Sequence, residues 1–253
     1  MTDYDAYKEV CKQAAVDDAA FNNFRSCPEY MGVLEHVSYE IGMQYIAHSY
    51  GVNNKKIDKS VVDILKRVDS FGGSSKKEFY GMGLISPTML RYYSIYGDIE
   101  RLHGSLDNKT VVEIGAGYGG QSMMLMLLNN IKKYIIVDLP EANALTRKFL
   151  TKNNMDMSKY EFYTHNTVPV IYSDYLISNY AFSECYKHIQ NIYIDNLINK
   201  TKHFYIIANF LSDLVYSKEQ LVEKLTGKIH IIPEAPSTTK APSTTNTNLL
   251  FYK

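Results

Sequence analysis

The chain has no tryptophan, only three cysteines and seven prolines in 253 residues, and no excess of charge of either sign. Each lack excludes something. With 27 basic and 27 acidic side chains there is no net field to draw the protein to a nucleic acid or an anionic membrane. Cys11, Cys27 and Cys185 are odd in number and lack metal-type spacing, so they read as reduced, packed thiols of a cytosolic protein. The longest apolar run, Met123–Leu128, is far too short to cross a bilayer. Met1-Thr2-Asp3-Tyr4-Asp5 shows no basic stretch leading into an apolar one, so we expect no secretory leader and a cytoplasmic location. The missing tryptophan beside 22 tyrosines reads as coding bias more than function.

Hydrophobic residues make up 45% of the chain, enough for a large buried core. Residues 1–105 read as a helical region. Leu34, Val37, Ile41 and Tyr45, then Val61, Ile64, Leu65 and Val68, recur at helical spacing, and Gly72-Gly73-Ser74-Ser75 breaks the pattern. Ser86-Pro87 predicts an N-cap and first-turn proline opening a helix through Met89, Leu90 and Tyr93. Residues 106–253 alternate short apolar runs with helical patterns. Thr110–Ile114, Tyr134–Asp138, Glu161–His165, Tyr175–Ser178, Phe204–Ala208, Lys228–Ile232 and Leu249–Tyr252 are the strand candidates. Helices are expected over Gly120–Asn129, around Ala142–Phe149 and over Cys185–Ile198. This alternation predicts an α/β fold with a parallel sheet covered on both faces. A doubled Ala-Pro-Ser-Thr-Thr, from Ala235 and again from Ala241, reads as an extended, mobile spacer.

The strongest local signal is Val111-Val112-Glu113-Ile114-Gly115-Ala116-Gly117-Tyr118-Gly119-Gly120, where a strand turns sharply into a helix. Gly115, Gly117 and Gly120 satisfy a dinucleotide pattern, while Glu113, Gly115, Gly117 and Gly119 satisfy the pattern of methyltransferases. Glu113 separates them. A carboxylate beside the turn repels a pyrophosphate but favours the sulfonium and ammonium of S-adenosylmethionine. Asp138, ending the next strand 21 residues after Gly117, is placed to accept hydrogen bonds from ribose hydroxyls. His165 and Asn166, at the end of the third strand, are expected to face the adenine. Gln121, Leu139 and Ser178 complete the expected cofactor contacts.

Ligands of open α/β sheets bind at the carboxyl ends of the strands, and Tyr175–Ser178 delivers Asn179, Tyr180, Ala181, Phe182, Ser183 and Glu184 there. Polar groups interleaved with aromatics suit a sugar, with its hydroxyl rim and apolar faces. The string Ser178-Asn179-Tyr180-Ala181-Phe182-Ser183-Glu184 resembles the signature of the sugar O-methyltransferase family. Ser86-Pro87-Thr88-Met89-Leu90-Arg91-Tyr92 resembles that family's segment before its core, and Ile232-Pro233-Glu234-Ala235-Pro236 with Asn248-Leu249-Leu250 its closing hairpin. The resemblance runs from about residue 25 to the C-terminus, and the doubled repeat departs from it. It implies a Rossmann-like class I methyltransferase core, a mostly parallel seven-stranded sheet with an antiparallel last strand, and a sugar or nucleotide-sugar acceptor.

The reaction expected is an in-line displacement that needs a base for the acceptor hydroxyl. Glu184 is the first candidate, with His165 and then His203 behind it. Arg91 offers a guanidinium fork to the cofactor's carboxylate or to a sugar phosphate, and Tyr92 and Tyr180 offer stacking faces, with Asn179 as a polar contact. No carboxylate cluster suggests a metal, so metal independence is expected. A homo-oligomer stays compatible with the sequence. N-methylation of an amino sugar needs the same geometry. An NAD-dependent nucleotide-sugar oxidoreductase would want a Tyr-x-x-x-Lys pair, which Tyr160 and Tyr193 do not supply. A non-catalytic glycan-binding module would tolerate loss of Glu113, the glycines or Asp138, and all are intact.

Overall fold

The computed structural model describes residues 4–210, 212–237 and 248–253. Five helices come first: α1 (Asp5–Val16), α2 (Asp18–Asn23), α3 (Pro28–Leu34), α4 (Tyr39–Gly51) and α5 (Lys59–Val68). A two-stranded antiparallel hairpin, β1 (Lys77–Phe79) and β2 (Gly83–Ile85), then leads into α6 (Pro87–His103). The alternating part follows as β3 (Thr110–Ile114), α7 (Gly120–Leu128), β4 (Lys133–Val137), α8 (Pro140–Lys152), β5 (Tyr160–Tyr163), β6 (Ser173–Asn179), α9 (Ala181–Glu184), α10 (Lys187–Asn196), β7 (Thr201–Ala208), α11 (Lys218–Lys224), β8 (His230–Pro233) and β9 (Leu249–Tyr252).

Seven strands form one sheet in the order β5-β4-β3-β6-β7-β9-β8. The pairs from β5 across to β7 are parallel, and β9 runs antiparallel to both of its neighbours. This is the Rossmann-like, class I methyltransferase arrangement expected above. The order reverses between β3 and β6, which opens the crevice where ligands bind in such sheets.

Strand periodicity divides the core into two layers. Val111, Tyr134, Ile136, Tyr175, Ile177 and Tyr205 face α7, α8 and the N-terminal helices, whereas Val112, Ile135, Leu176, Phe204 and Ile206 face α9, α10 and α11. Residues 4–105 share the first of these layers, so the N-terminal helices and the sheet have one continuous apolar core. Helix α6 is its centre: every residue from Pro87 to Ile99 is buried. Surrounded by protein, α6 carries polar groups such as Arg91, Ser94 and Asp98 into that core.

Several expectations shift. The hairpin β1–β2 replaces a plain break, because the chain must return from α5 to the start of α6. Ser86 has the extended backbone of an N-cap, but its hydroxyl makes no capping bond and instead accepts from Arg25 Nη2 at 3.1 Å. The long helix starts at Lys187 rather than Cys185, after the separate turn α9. Strand β5 ends at Tyr163, and Thr164–Thr167 closes a turn, so His165 and Asn166 lie in a loop. The second Ala-Pro-Ser-Thr-Thr copy and the end of the first lie outside the described residues. No helix among the described residues is long and apolar enough to cross a membrane.

Candidate cofactor and acceptor site

At the carboxyl end of β3 the chain must turn against a crowded floor. Gly115 has φ +80°, and a Cβ there would stand 2.1 Å from the Ala181 Cβ. Gly117 has φ +61°, and a Cβ there would fall 2.4 Å from Leu34 Cδ1 on α3. Any side chain at either position is excluded both by backbone conformation and by space. Thr146 on α8 secures the turn by donating to the Gly117 carbonyl at 2.8 Å, and Gly119 is the left-handed N-cap of α7.

Glu113 sits in β3 on the face toward α7 and is 2% exposed. Tyr134 donates to its Oε2 at 2.8 Å and Gln121 Nε2 to its Oε1 at 3.3 Å. Burial pushes the carboxyl up to about 8; the Tyr134 bond opposes this and the charge of Asp138 adds to it. Gln121 in turn accepts from Asn179 Nδ2 at 3.0 Å. The chain Tyr134–Glu113–Gln121–Asn179 ends in an atom with no partner, the buried Oδ1 of Asn179.

Asp138 follows β4 at the same edge. Its Oδ2 accepts from the Gly117 N–H at 2.9 Å and its Oδ1 from the Leu139 N–H at 2.7 Å. Burial raises it to about 6 against these backbone bonds, which favour the ionised form. One carboxylate thus pins the glycine turn to β4 and keeps lone pairs for further donors. Asn143 on α8, which the sequence did not single out, ties β4 to β5 by donating to the carbonyls of Asp138 and Tyr163, and its buried Oδ1 has no partner.

The part of the edge expected to meet the acceptor is assembled from distant elements. Tyr180 follows β6 with φ +69°, a strained value for a side-chain-bearing residue. Its N–H donates to the Ile207 carbonyl of β7 at 2.8 Å, and its hydroxyl reaches Glu234, just past β8, at 2.6 Å. Asn248, just before β9, donates to Glu234 Oε2 at 2.9 Å. Arg91 of α6 lies over the Tyr180 ring, 5.0 Å from its centre. Glu234 and Asn248 entered the sequence reading only through the resemblance of the closing hairpin; the signal was there, the pairing with Tyr180 was not.

Glu184 ends α9. Its Oε1 accepts from Asn209 Nδ2 at 2.8 Å and its Oε2 from the Tyr4 hydroxyl at the start of α1. His36, in the loop between α3 and α4, lies in electrostatic reach of both Arg91 and Glu184. Part of it meets solvent, yet burial and the Arg91 charge hold its imidazole below the usual range. Spacing alone gave no reason to notice it.

Other expected residues are placed elsewhere. Ser178 faces the opposite layer, where its hydroxyl donates to the Ile114 carbonyl and accepts from the Phe182 N–H, both at 3.1 Å. It joins β3, β6 and α9 rather than meeting a cofactor. Tyr92 is 6% exposed inside the core, not a stacking surface. His165 stands beyond β5, which β4 and β3 separate from β6, so it is not brought to Glu184. Asn166 is exposed in the same turn, with no bond to the described groups of the edge. His203 lies early in β7, at the opposite end of the sheet, beside His103.

Neither a family model nor a curated protein matches this chain. The likeness to the sugar O-methyltransferase family therefore rests on the three short strings alone. Solved structures resemble it more broadly. A Pyrococcus horikoshii protein provisionally described as an RNA methyltransferase has 17% identity and a TM-score of 0.44, covering 65% of this chain and 81% of its own. A Thermoplasma acidophilum protein, 1320, has 13% identity and a TM-score of 0.46 over 80% and 95%. A SAM-dependent methyltransferase from Aquifex aeolicus has 16% identity and a TM-score of 0.44 over 61% and 86%. At such values nothing beyond the fold follows, and the fold stands on the strand order itself.

Proposed function

We propose that this chain is an S-adenosylmethionine-dependent methyltransferase whose acceptor is a sugar hydroxyl. The observation that carries the reading is the buried chain Tyr134–Glu113–Gln121–Asn179, ending in an unpartnered carbonyl oxygen beside the bare turn at Gly115 and Gly117. An acidic side chain and an orphaned acceptor at this edge ask for a hydrogen-bond donor such as an ammonium, not a pyrophosphate. Among ribose-bearing cofactors, S-adenosylmethionine fits that demand and NAD does not.

Glu113, Gln121 and Asn179 would hold the amino-acid end of the cofactor, Asp138 its ribose, and Asn143 with the turn after β5 its base. The cofactor supplies an electrophilic methyl group on a positively charged sulfur. The protein's own contribution is position and proton handling. The glycine turn sets one end of the line of attack and the β6–α9 connection the other, and such alignment is worth on the order of 7–11 kcal/mol of barrier. Glu184, whose two oxygens already accept from Asn209 and Tyr4, is held ready to take the acceptor's proton. A positioned base of this kind contributes roughly 10²–10⁴-fold. The balanced overall charge favours a small acceptor over a polyanion such as nucleic acid.

Calorimetric titration with S-adenosylmethionine and with NAD tests the cofactor, and mass spectrometry of sugar acceptors tests the transfer. Binding of the first and not the second, with gain of one methyl on a sugar, is the expected result. Preference for NAD ends the reading.

A further inference from the structure

Two arginines of this protein are buried over tyrosine rings, and they differ in one respect. Arg25 is fully enclosed, 4.8 Å from the centre of the Tyr118 ring. Its Nε binds Glu35 at 2.5 Å, its Nη1 binds Asp69 at 2.8 Å and its Nη2 meets Ser86 at 3.1 Å. This is how the fold treats a structural guanidinium: every edge is answered by an acceptor. Arg91 is 3% exposed over Tyr180, yet its Nε and Nη2 are buried without any hydrogen-bond partner, and it joins none of the ion pairs among the described residues. Glu234 and the hydroxyls around it favour the Arg91 charge across space, but none accepts a hydrogen bond from its Nε or Nη2, and Glu234 itself is bonded by Tyr180 and Asn248. Buried donors left without an acceptor are costly, and a fold that answers every edge of Arg25 has the means to avoid this at Arg91.

The position of Arg91 says whose partner is missing. Tyr180 leans away from β3: its N–H bonds to β7 and its hydroxyl to the residue after β8. The ring beneath Arg91 therefore lies over the β7–β9 side of the edge, whereas the glycine turn, Glu113 and Asp138 occupy the β3–β4 side. We infer that Arg91 is the receptor for an oxyanion carried by the acceptor, so that the substrate is an acidic or phosphorylated sugar rather than a neutral one. A planar fork with two unpartnered N–H donors, Nε and Nη2, matches the paired oxygens of a carboxylate or a phosphate. The inference rests on the methyltransferase reading for the word acceptor, but the anion site stands on the unpartnered guanidinium itself.

The test uses the full chain and the variants Arg91→Met and Arg25→Met. Inorganic phosphate should raise the melting midpoint of the wild type above a sodium chloride control of equal ionic strength, and should not raise that of Arg91→Met. Without ligand, Arg25→Met should melt lower than the wild type by about 5 °C or more, because it strands Glu35 and Asp69. By calorimetry, glucuronate or glucose 1-phosphate should bind the wild type at least tenfold more tightly than glucose, the tighter of the two identifying the anion, and Arg91→Met should erase the preference. S-adenosylmethionine should bind Arg91→Met within about twofold of the wild type. Phosphate protection that is absent from the wild type or survives in Arg91→Met overturns the inference. So does a tenfold loss of S-adenosylmethionine affinity in Arg91→Met, which would make the missing anion the cofactor's own carboxylate. A wild type that takes phosphate through Arg91 but no S-adenosylmethionine removes the methyltransferase reading and keeps the anion site.

Discussion

The two halves of the site edge are built in opposite ways. The proposed cofactor half is centred on one short stretch, residues 113–138, to which Asn143 and Asn179 are added, and its bonds run between neighbouring strands and the turn they share. The acceptor half draws Arg91 from α6, Tyr180 from the end of β6, Glu234 from β8 and Asn248 from before β9. A site made from one stretch is rigid as soon as its strands pair. A site made from four elements exists only when the whole chain has folded, and its bonds also hold the last hairpin in place. Changes in the first half should therefore act on cofactor binding, and changes in the second on stability and acceptor use.

The sharpest break of that comparison is Gly117→Val. The left-handed backbone and the Leu34 side chain both oppose it, so S-adenosylmethionine binding should fall by more than about 100-fold in calorimetry, matching roughly 3 kcal/mol. Binding within threefold of the wild type would show that the turn does not shape the pocket. Asp138→Ala removes the acceptor that holds the Gly117 and Leu139 amides, and cofactor affinity should drop about tenfold or more, with the acceptor's own binding unchanged. A fall in acceptor affinity of the same size would merge the halves.

On the other side, Tyr180→Phe leaves Glu234 with one donor fewer in a buried place. Denaturant unfolding should show a loss of about 1–3 kcal/mol, while S-adenosylmethionine affinity stays within about twofold. A cofactor effect without a stability effect would reverse the assignment of Tyr180.

Glu113 makes a pH-dependent contrast. Its folded carboxyl is raised to about 8 from an ordinary value of 4.5, so the folded chain holds that proton more tightly than the unfolded one. The stability it contributes is complete below about 4.5 and is lost as pH rises through 8. Asp138, raised to about 6, acts in the same direction but is finished lower down. His103, lowered to about 4 by burial beside His203, acts the other way: its contribution is present above 6.5 and is lost as pH falls toward 4. The window from 6.5 to 8 isolates Glu113. There the ligand-free melting midpoint should decline, and Glu113→Gln should flatten the decline; an unaltered slope would place the titration elsewhere. The smallest effect belongs to Tyr4→Phe, which removes one exposed bond to Glu184 and should change stability by less than about 1 kcal/mol, read as a melting shift of a few degrees at most.

What could be read without coordinates divides along the same line. Strands β3 and β4, the glycine turn, Glu113 and Asp138 were legible because local chemistry specifies them: apolar runs of strand length, residues that alone tolerate the turn, and an acid at a fixed spacing. Ser178 was misread because its position is only one residue from Asn179, and in a strand that one residue chooses the face. That His165 is not brought to Glu184 was not legible, because a strand's length predicts neither where it frays nor which strand it will stand beside. His36, Asn143 and the hairpin β1–β2 carried no local signature at all.

The residues by themselves determined the alternation of strand and helix, the glycine-lined turn and the acid pair that flanks it, since each depends on backbone conformation and spacing along one stretch. Tertiary structure alone decided that Arg25 is hydrogen-bonded by two carboxylates and Arg91 by none, and that Tyr180 reaches Glu234 past two intervening strands. Those outcomes depend on which groups are brought together out of water, and burial energies are set by neighbours in space rather than by neighbours in the chain.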